Sequence, residues 1–341
     1  MEEVFQFIWY LIIGVSVVLY TVLDGFDLGV GCLHPFAKGD RERRLMLNAI
    51  GPVWDGNEVW LIIVFGGMFV GFPPVYASIC SAFYGLIMIL LAGLMIRAVS
   101  IEFRSKQESV KWRAFWDWMF CIGSYVIAFI IALILGNLIV GIPIDHQGTF
   151  LGSFLGFFTP YTILVGITGV AVFSMHGAIY MLMKTEGDMH ERVRKWVNPT
   201  IIIFIVFYLI TTFVTLVFKS HMIDLMKRFP YLFVIGVLTL LSIVCVPFFV
   251  HRKKEGTAFI FSCLSITFLI SLFGLGTYPF MVRSSINDGI HSLTLFNSGA
   301  TIETMKVILI VAVIGVPLVF AYGYWIYRIF RGKVTLDEAS Y

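Results

Sequence analysis

The segment Val53-Trp54-Asp55-Gly56-Asn57-Glu58-Val59-Trp60 sets two carboxyls, an amide and two indoles directly before an apolar run, Leu61-Ile62-Ile63-Val64-Phe65. Asp55 and Glu58 are three apart and share a face if the segment is helical. Pro52 cannot donate to the carbonyl of Asn48, so a kink and a bare acceptor are expected beside the acids. A second acidic pair, Asp24 and Asp27, lies in Asp24-Gly25-Phe26-Asp27-Leu28-Gly29-Val30-Gly31. Gly25 and Gly29 there have the small-xxx-small spacing that admits a close helix. Carboxyls inside apolar spans are expensive, and the chemistry they suit is proton transfer. The structural alternative is a satisfied polar knot that locks the two spans together.

Position supports a shared site. The polar link between the two spans is 34–44, with Asp24 ten residues before it and Asp55 eleven after it. At about 1.5 Å per residue both acids fall roughly 15 Å from the link. In an antiparallel hairpin they would meet near the middle of a hydrocarbon core about 30 Å thick. Crowded acids at that depth, with Asn57 and the Asn48 carbonyl able to hold water, could form a proton path through at least one of Asp24, Asp27, Asp55 and Glu58.

Other polar residues read as structural or interfacial. Trp54 and Asn57 flank the acids. Arg97, Glu102 and Arg104 are expected to form an ion network at the surface of the 34–44 side, and Asp117 to favour a helix N-terminus. Trp112, Trp116 and Trp118 around basic residues suit an interfacial anchor. His176, alone on an apolar helix, is expected to be packed and hydrogen-bonded rather than a metal ligand. There is no His pair at helical ligand spacing and no Cys-His cluster. The five cysteines have no paired spacing and read as small apolar residues. No phosphate loop or nucleophile motif occurs, and nothing points to nucleic acid.

The elements that must position these residues are membrane spans. Hydrophobic residues make up 59% of the 341 and charged residues 13%, against about 25% charged in soluble domains. Nine apolar spans are expected at 5–33, 45–70, 75–97, 114–141, 160–183, 197–218, 230–250, 257–280 and 302–328, each about long enough to cross a bilayer. Segments on the 34–44 side carry nineteen Lys and Arg, and those on the other side five. The positive-inside rule then makes the 34–44 side cytoplasmic, the N-terminus outside and the C-terminus inside. No cleavable signal peptide is expected. Val165-Gly166-Ile167 to His176-Gly177 echoes Ile13-Gly14-Val15 to Asp24-Gly25, which suggests two related halves. The expected division is a first four-helix bundle at 1–141, an outside link and second bundle at 142–281, and an outside loop, ninth helix and tail at 282–341. The fold class is all-α and polytopic, with the deep carboxylates in the first half alone.

Read together, these motifs resemble subunit II of the cytochrome bd-type quinol oxidases, bacterial respiratory terminal oxidases. The resemblance rests on Asp24 to Gly31, Glu42-Arg43-Arg44 and Trp54 to Trp60. Phe103-Arg104-Ser105-Lys106, Trp112-Arg113 and Trp116-Asp117-Trp118 add to it, as do Gly136-Asn137, Gly177-Ala178 with Tyr180, and Pro279-Phe280 with Ser284-Ser285. It implies two four-helix bundles plus one helix, paired with a homologous subunit I in a heterodimer in the bacterial cytoplasmic membrane. It places two b-type haems, one d-type haem and the quinol site in subunit I, and none of them in this chain. It implies quinol oxidation outside, oxygen reduction to water with protons drawn from inside, and a proton route at the interface in which Asp55 takes part. Some members carry Gln at the positions of Glu58 and His176. The family also admits a structural quinone in this subunit and a small single-helix partner.

Three functions follow from different classes. The first is an oxidase subunit that scaffolds subunit I and contributes to a proton path through Asp55, Glu58, Asp24 and Asp27. The second is a proton-coupled secondary transporter, suggested by the repeat and the deep acids. The third is a purely structural partner.

Overall fold

The computed structural model describes residues 2–286 and 289–336. The helices run α1 (Glu2–Leu33), α2 (Gly39–Ile50), α3 (Trp54–Gly71), α4 (Pro73–Ala82), α5 (Tyr84–Phe103), α6 (Val110–Val140), α7 (Pro160–Lys184), α8 (Gly187–Phe218), α9 (Asp224–Arg228), α10 (Phe233–His251), α11 (Glu255–Thr277) and α12 (Ile302–Ile329). A short antiparallel pair, β1 (Phe280–Val282) and β2 (Leu293–Thr294), lies in the loop before α12. Among the described residues eight helices are long and apolar enough to cross a bilayer, and the bent pair α2–α3 brings the count to nine. The architecture is therefore all-α and polytopic.

Two expected spans are interrupted. The span at 45–70 turns at Gly51-Pro52-Val53, where the α2 and α3 axes differ by 48°. Pro52 lacks the donor that would continue the helix, so the kink is where the sequence puts it. The carbonyl seen in tertiary contact there is that of Ala49 rather than Asn48. The Val53 N–H turns to the Ile50 carbonyl at 2.8 Å, and the Tyr180 hydroxyl donates to the Ala49 carbonyl at 2.8 Å. The span at 75–97 breaks at Phe83 into α4 and α5, and α5 continues beyond Arg97 to Phe103. Arg97 thus stands inside a helix, not at its end.

The centre of the molecule is α1 against α7, with α3, α6 and α11 also packed on α1. Gly29 and Gly177 make the approach possible. A Cβ on Gly29 would fall against the Phe173 carbonyl and 2.8 Å from the Gly177 Cα, so two backbones meet where side chains cannot fit. By contrast α12 lies on α1 and α3 with most of its surface exposed, Met305 being its one residue in the buried class.

Candidate functional site

The acidic residues converge where α1, α3 and α5 meet. Arg97 on α5 is 0% exposed; its Nη2 donates to Asp24 Oδ1 at 2.7 Å and to Glu58. Asp27, one turn on from Asp24, accepts from Asn57 Nδ2 at 2.7 Å, and the same amide nitrogen reaches the Leu23 carbonyl at 3.2 Å. The Asn57 carbonyl oxygen accepts from the Tyr327 hydroxyl of α12 at 2.9 Å. Five helical residues of α1, α3 and α5 and one from α12 therefore form a single polar cluster. It exists because the three-residue spacing puts Asp24 and Asp27 on one face of α1, while the adjacent Asn57 and Glu58 of α3 diverge by about 100°, Asn57 meeting Asp27 and Glu58 meeting Arg97. Among the described residues, Asp24 Oδ2, Asp27 Oδ1 and Arg97 Nε and Nη1 are buried without a hydrogen-bond partner. Such atoms mark a polar pocket suited to water or to a group carrying an exchangeable proton.

Asp55 does not join this cluster directly. It is exposed, whereas Glu58 has a side chain only 20% exposed and points to Arg97. One helical turn separates the two carboxyls, so Asp55 stands at the rim and Glu58 between rim and interior. Trp54 and Trp60 are buried on α3, with Trp60 packed on Phe320 of α12 at 5.2 Å between ring centroids.

The second polar group corrects two expectations. Arg97 takes no part in a surface network with Arg104, because α5 carries it into the bundle interior beside the acids. Asp117 is not at a helix start, since α6 begins at Val110. It is the hub of an ion network at the 34–44 side, accepting from Arg104 Nε at 2.5 Å and Arg43 Nη1 at 2.8 Å, with His34 Nε2 at 2.6 Å. Arg104 also donates to Asp40 at 2.8 Å, which Arg113 reaches at 2.9 Å. This group clamps the 34–44 link to α6 and to the end of α5.

His176 has both nitrogens occupied. Nε2 donates to the Val22 carbonyl at 3.0 Å, Nδ1 lies 2.7 Å from Ser262 Oγ, and the ring stacks on Phe259 at 5.0 Å. It is the packed, hydrogen-bonded histidine that its surroundings in the sequence suggest. Neither nitrogen is left for an iron atom, and among the described residues no three His, Cys, Asp or Glu stand together as a metal site.

Sequence reasoning missed Arg97 as the counter-ion, together with Tyr327 and the pairing of His34 with Asp117. A signal for Arg97 was present: Ala98-Val99-Ser100-Ile101 continues the apolar run past it. Tyr327 and His34 lie 270 and 83 residues from their partners, which no local pattern can reveal.

A polytopic helical chain with an acid–guanidinium cluster inside its spans is a membrane subunit built around intramembrane ionisable groups. A family model described as cytochrome bd terminal oxidase subunit II matches residues 5–330. The chain is 32% identical to cytochrome bd-I ubiquinol oxidase subunit 2 of Escherichia coli over 367 residues, covering 98% of this chain and 97% of that one. It is 30% identical to cytochrome bd ubiquinol oxidase subunit 2 of Bacillus subtilis over 333 residues, covering 97% of each. The structure of bd oxidase from Geobacillus thermodenitrificans shares the fold, with a TM-score of 0.77, 16% identity, and coverage of 96% of this chain and 98% of the matched chain. The chain belongs to the cytochrome bd terminal oxidase subunit II family. It is a multi-pass bacterial membrane protein and a component of a respiratory terminal oxidase, an oxidoreductase complex that carries haem and includes a subunit I partner. Membership decides for an oxidase subunit over a secondary transporter.

Proposed function

We propose that this chain supports a haem-bearing subunit I in a complex that oxidises quinol, reduces oxygen to water and builds proton motive force, and that it supplies part of the proton path. The observation that carries the reading is the set of buried Asp24, Asp27, Asn57 and Arg97 with half-buried Glu58, and with Asp55 at its rim. Arg97 stays charged throughout, so proton exchange in the cluster falls to the carboxyls. The proposed order is Asp55, then Glu58, then Asp24 with Asp27, with Asn57 and Tyr327 completing the hydrogen-bonded chain. The quinol substrate comes from the names of the Escherichia coli and Bacillus subtilis relatives. The two b-type haems and the d-type haem are assigned to subunit I, in line with the engaged nitrogens of His176. The reading includes the cytoplasmic placement of the 34–44 side, the bundle division at 142 and 282, a structural quinone and a small single-helix partner.

The test is oxygen consumption by the whole complex with excess quinol, read beside the optical spectrum of the same preparation. Asp55→Asn should lower turnover by at least about tenfold, the low end for a positioned proton carrier, with haem content kept. Asp55→Glu should retain more activity than Asp55→Asn. Full turnover in Asp55→Asn would remove Asp55 from the path. Activity lost together with the haems would leave the acids as a structural knot.

A further inference from the structure

The side opposite the 34–44 link holds few basic residues, yet two of them converge. Gly141, with φ +87°, ends α6 and lets its chain turn against the Arg283 carbonyl, 3.0 Å from where a Cβ would stand. The Ile142 N–H then donates to the Arg283 carbonyl at 2.9 Å, and the Ser285 N–H to the Ile142 carbonyl at 3.0 Å. Ser284 Oγ donates to the Ile144 carbonyl at 2.9 Å, which fixes the loop from the other side. These bonds hold Arg283 beside the ends of α6 and α8. Lys219 follows Phe218, the last residue of α8, and His221 donates from Nε2 to the Ile139 carbonyl at 3.0 Å.

Between them is a cavity of about 520 Å³ lined by Val140, Phe218, Lys219, His221, Arg283 and the Ser284-Ser285 pair. Lys219 lies over the Tyr161 ring at 5.8 Å and Arg283 over the Phe280 ring at 5.6 Å, which settles both stems at the rim. Neither cation has an ion pair among the described residues. The other basic residues of this side stand outside the cavity lining: Lys227 pairs with Asp224 at 3.4 Å, Lys306 lies over Phe5, and Arg228 lies over Phe229. Burial and the charges of Arg283 and Lys219 outweigh the hydrogen bond to Ile139 and the Asp224 carboxylate and hold His221 below the usual imidazole range. Phe218 at the end of α8 lines the cavity and is exposed, and α8 carries further exposed apolar residues at Leu209, Phe213, Leu216 and Val217.

A cationic rim above a lipid-facing apolar wall, at the level where spanning helices end, matches one kind of ligand. We propose that this cavity seats the phosphate of an anionic phospholipid, with Lys219 and Arg283 as charge partners, the exposed Ser285 hydroxyl as a further donor, and an acyl chain along α8. Charge-assisted bonds to phosphate are the strong ones. A zwitterionic lipid suits it less, because its ammonium would meet Lys219 and Arg283.

The test is native mass spectrometry of the whole complex, delipidated in detergent and then titrated with phosphatidylglycerol or phosphatidylcholine. Wild type should retain one phosphatidylglycerol that phosphatidylcholine does not displace. Lys219→Gln with Arg283→Gln should weaken that binding by at least about tenfold, the scale for losing one hydrogen bond to a charged group. Ser285→Glu, at an exposed position, should do the same by placing an anion at the rim, and it keeps the test open if the double variant does not assemble. Equal retention in the assembled variants, equal competition by phosphatidylcholine, or displacement by inorganic phosphate at millimolar concentration would overturn the proposal. The last result would make the cavity a free-phosphate site. Asp288 of the same loop lies outside the described residues; if Asp288→Asn alone raises wild-type binding more than about tenfold, the rim is neutralised by its own chain and the proposal also fails.

Discussion

Arg97 holds the acids of this subunit together, and its removal should be more harmful than removal of the whole group. Arg97→Gln leaves Asp24 and Glu58 facing each other in the interior, and breaking a buried pair in this way costs about 3–5 kcal/mol. The expected result is a lower yield and a lower Tm of the assembled complex. Adding Asp24→Asn and Glu58→Gln should recover most of that loss, because the uncompensated charge is gone. An unchanged Tm in Arg97→Gln would end the ion-pair account. His176 makes the opposite prediction. Its two nitrogens meet a carbonyl and a hydroxyl, partners that a glutamine amide can also serve. His176→Gln should therefore leave haem absorbance and oxygen consumption near wild type, while His176→Leu should lower stability by about 1–3 kcal/mol through the stranded polar groups. Loss of a haem band in an assembled His176→Gln complex would show that the ring is a ligand after all. At this scale the sequence showed which residues are costly to bury but not which way they face. The spacing of Asp55 and Glu58 puts them on one side of α3, yet one is exposed and the other bonded to Arg97. A three-residue step is about 300° of helix turn, so two such residues can straddle the edge of a buried stripe.

Among the elements, the α1–α7 crossing depends on two absent side chains. A methyl on Gly29 would strike the Phe173 carbonyl and the Gly177 backbone, atoms that cannot move without shifting a helix. Gly29→Ala should therefore lower the stability of the complex by about 1–3 kcal/mol or more, the range for overpacking a filled interior. Gly14→Ala is the internal control, since a Cβ there meets nothing within 4 Å on the same helix. It should be neutral, or stabilising by up to about 1 kcal/mol through helix propensity. Thermal melts followed by the haem spectrum would read both, and equal Tm values for the two variants would remove the crossing from the account. The small-xxx-small spacing made this contact legible in outline, although it could not say that α7 is the partner. The same limit applies to helix ends. Pro52 marks its own break, because a missing donor is a local fact. The interruption at Phe83 carries no such mark, and Arg97 was read as the end of a span because charge and helix boundary usually coincide.

For the molecule as a whole, sidedness is the property that sequence statistics and geometry approach from different directions. The basic links gather on one face through specific pairs. Arg192 joins Glu42 at 2.8 Å, Arg104 and Arg113 hold Asp40, and Arg194 reaches Glu255 at 2.9 Å. The end of the described chain lies there too, with the Val334 N–H on the Lys184 carbonyl at 2.8 Å and Lys333 at 3.4 Å from Glu255. The opposite face is tied by backbone bonds instead, Ala300 to Gly71 and Ile142 to Arg283, each at 2.9 Å. Taking the interior Arg97 out of the charge tally leaves eighteen basic residues against five, so the correction to its position does not weaken the orientation. The orientation proposed on the positive-inside rule puts the paired, basic face in the cytoplasm. In a background lacking the five native cysteines, single cysteines at 38–41, 106–109 and 252–256 should resist an impermeant thiol reagent on intact cells and react in inverted vesicles. Cysteines placed at 146–148 should show the reverse. Labelling of the first set on intact cells would invert the molecule. It would also move the rim at Asp55 and the lipid cavity to the other sides of the membrane, and protons reaching Asp55 would then have to come from outside.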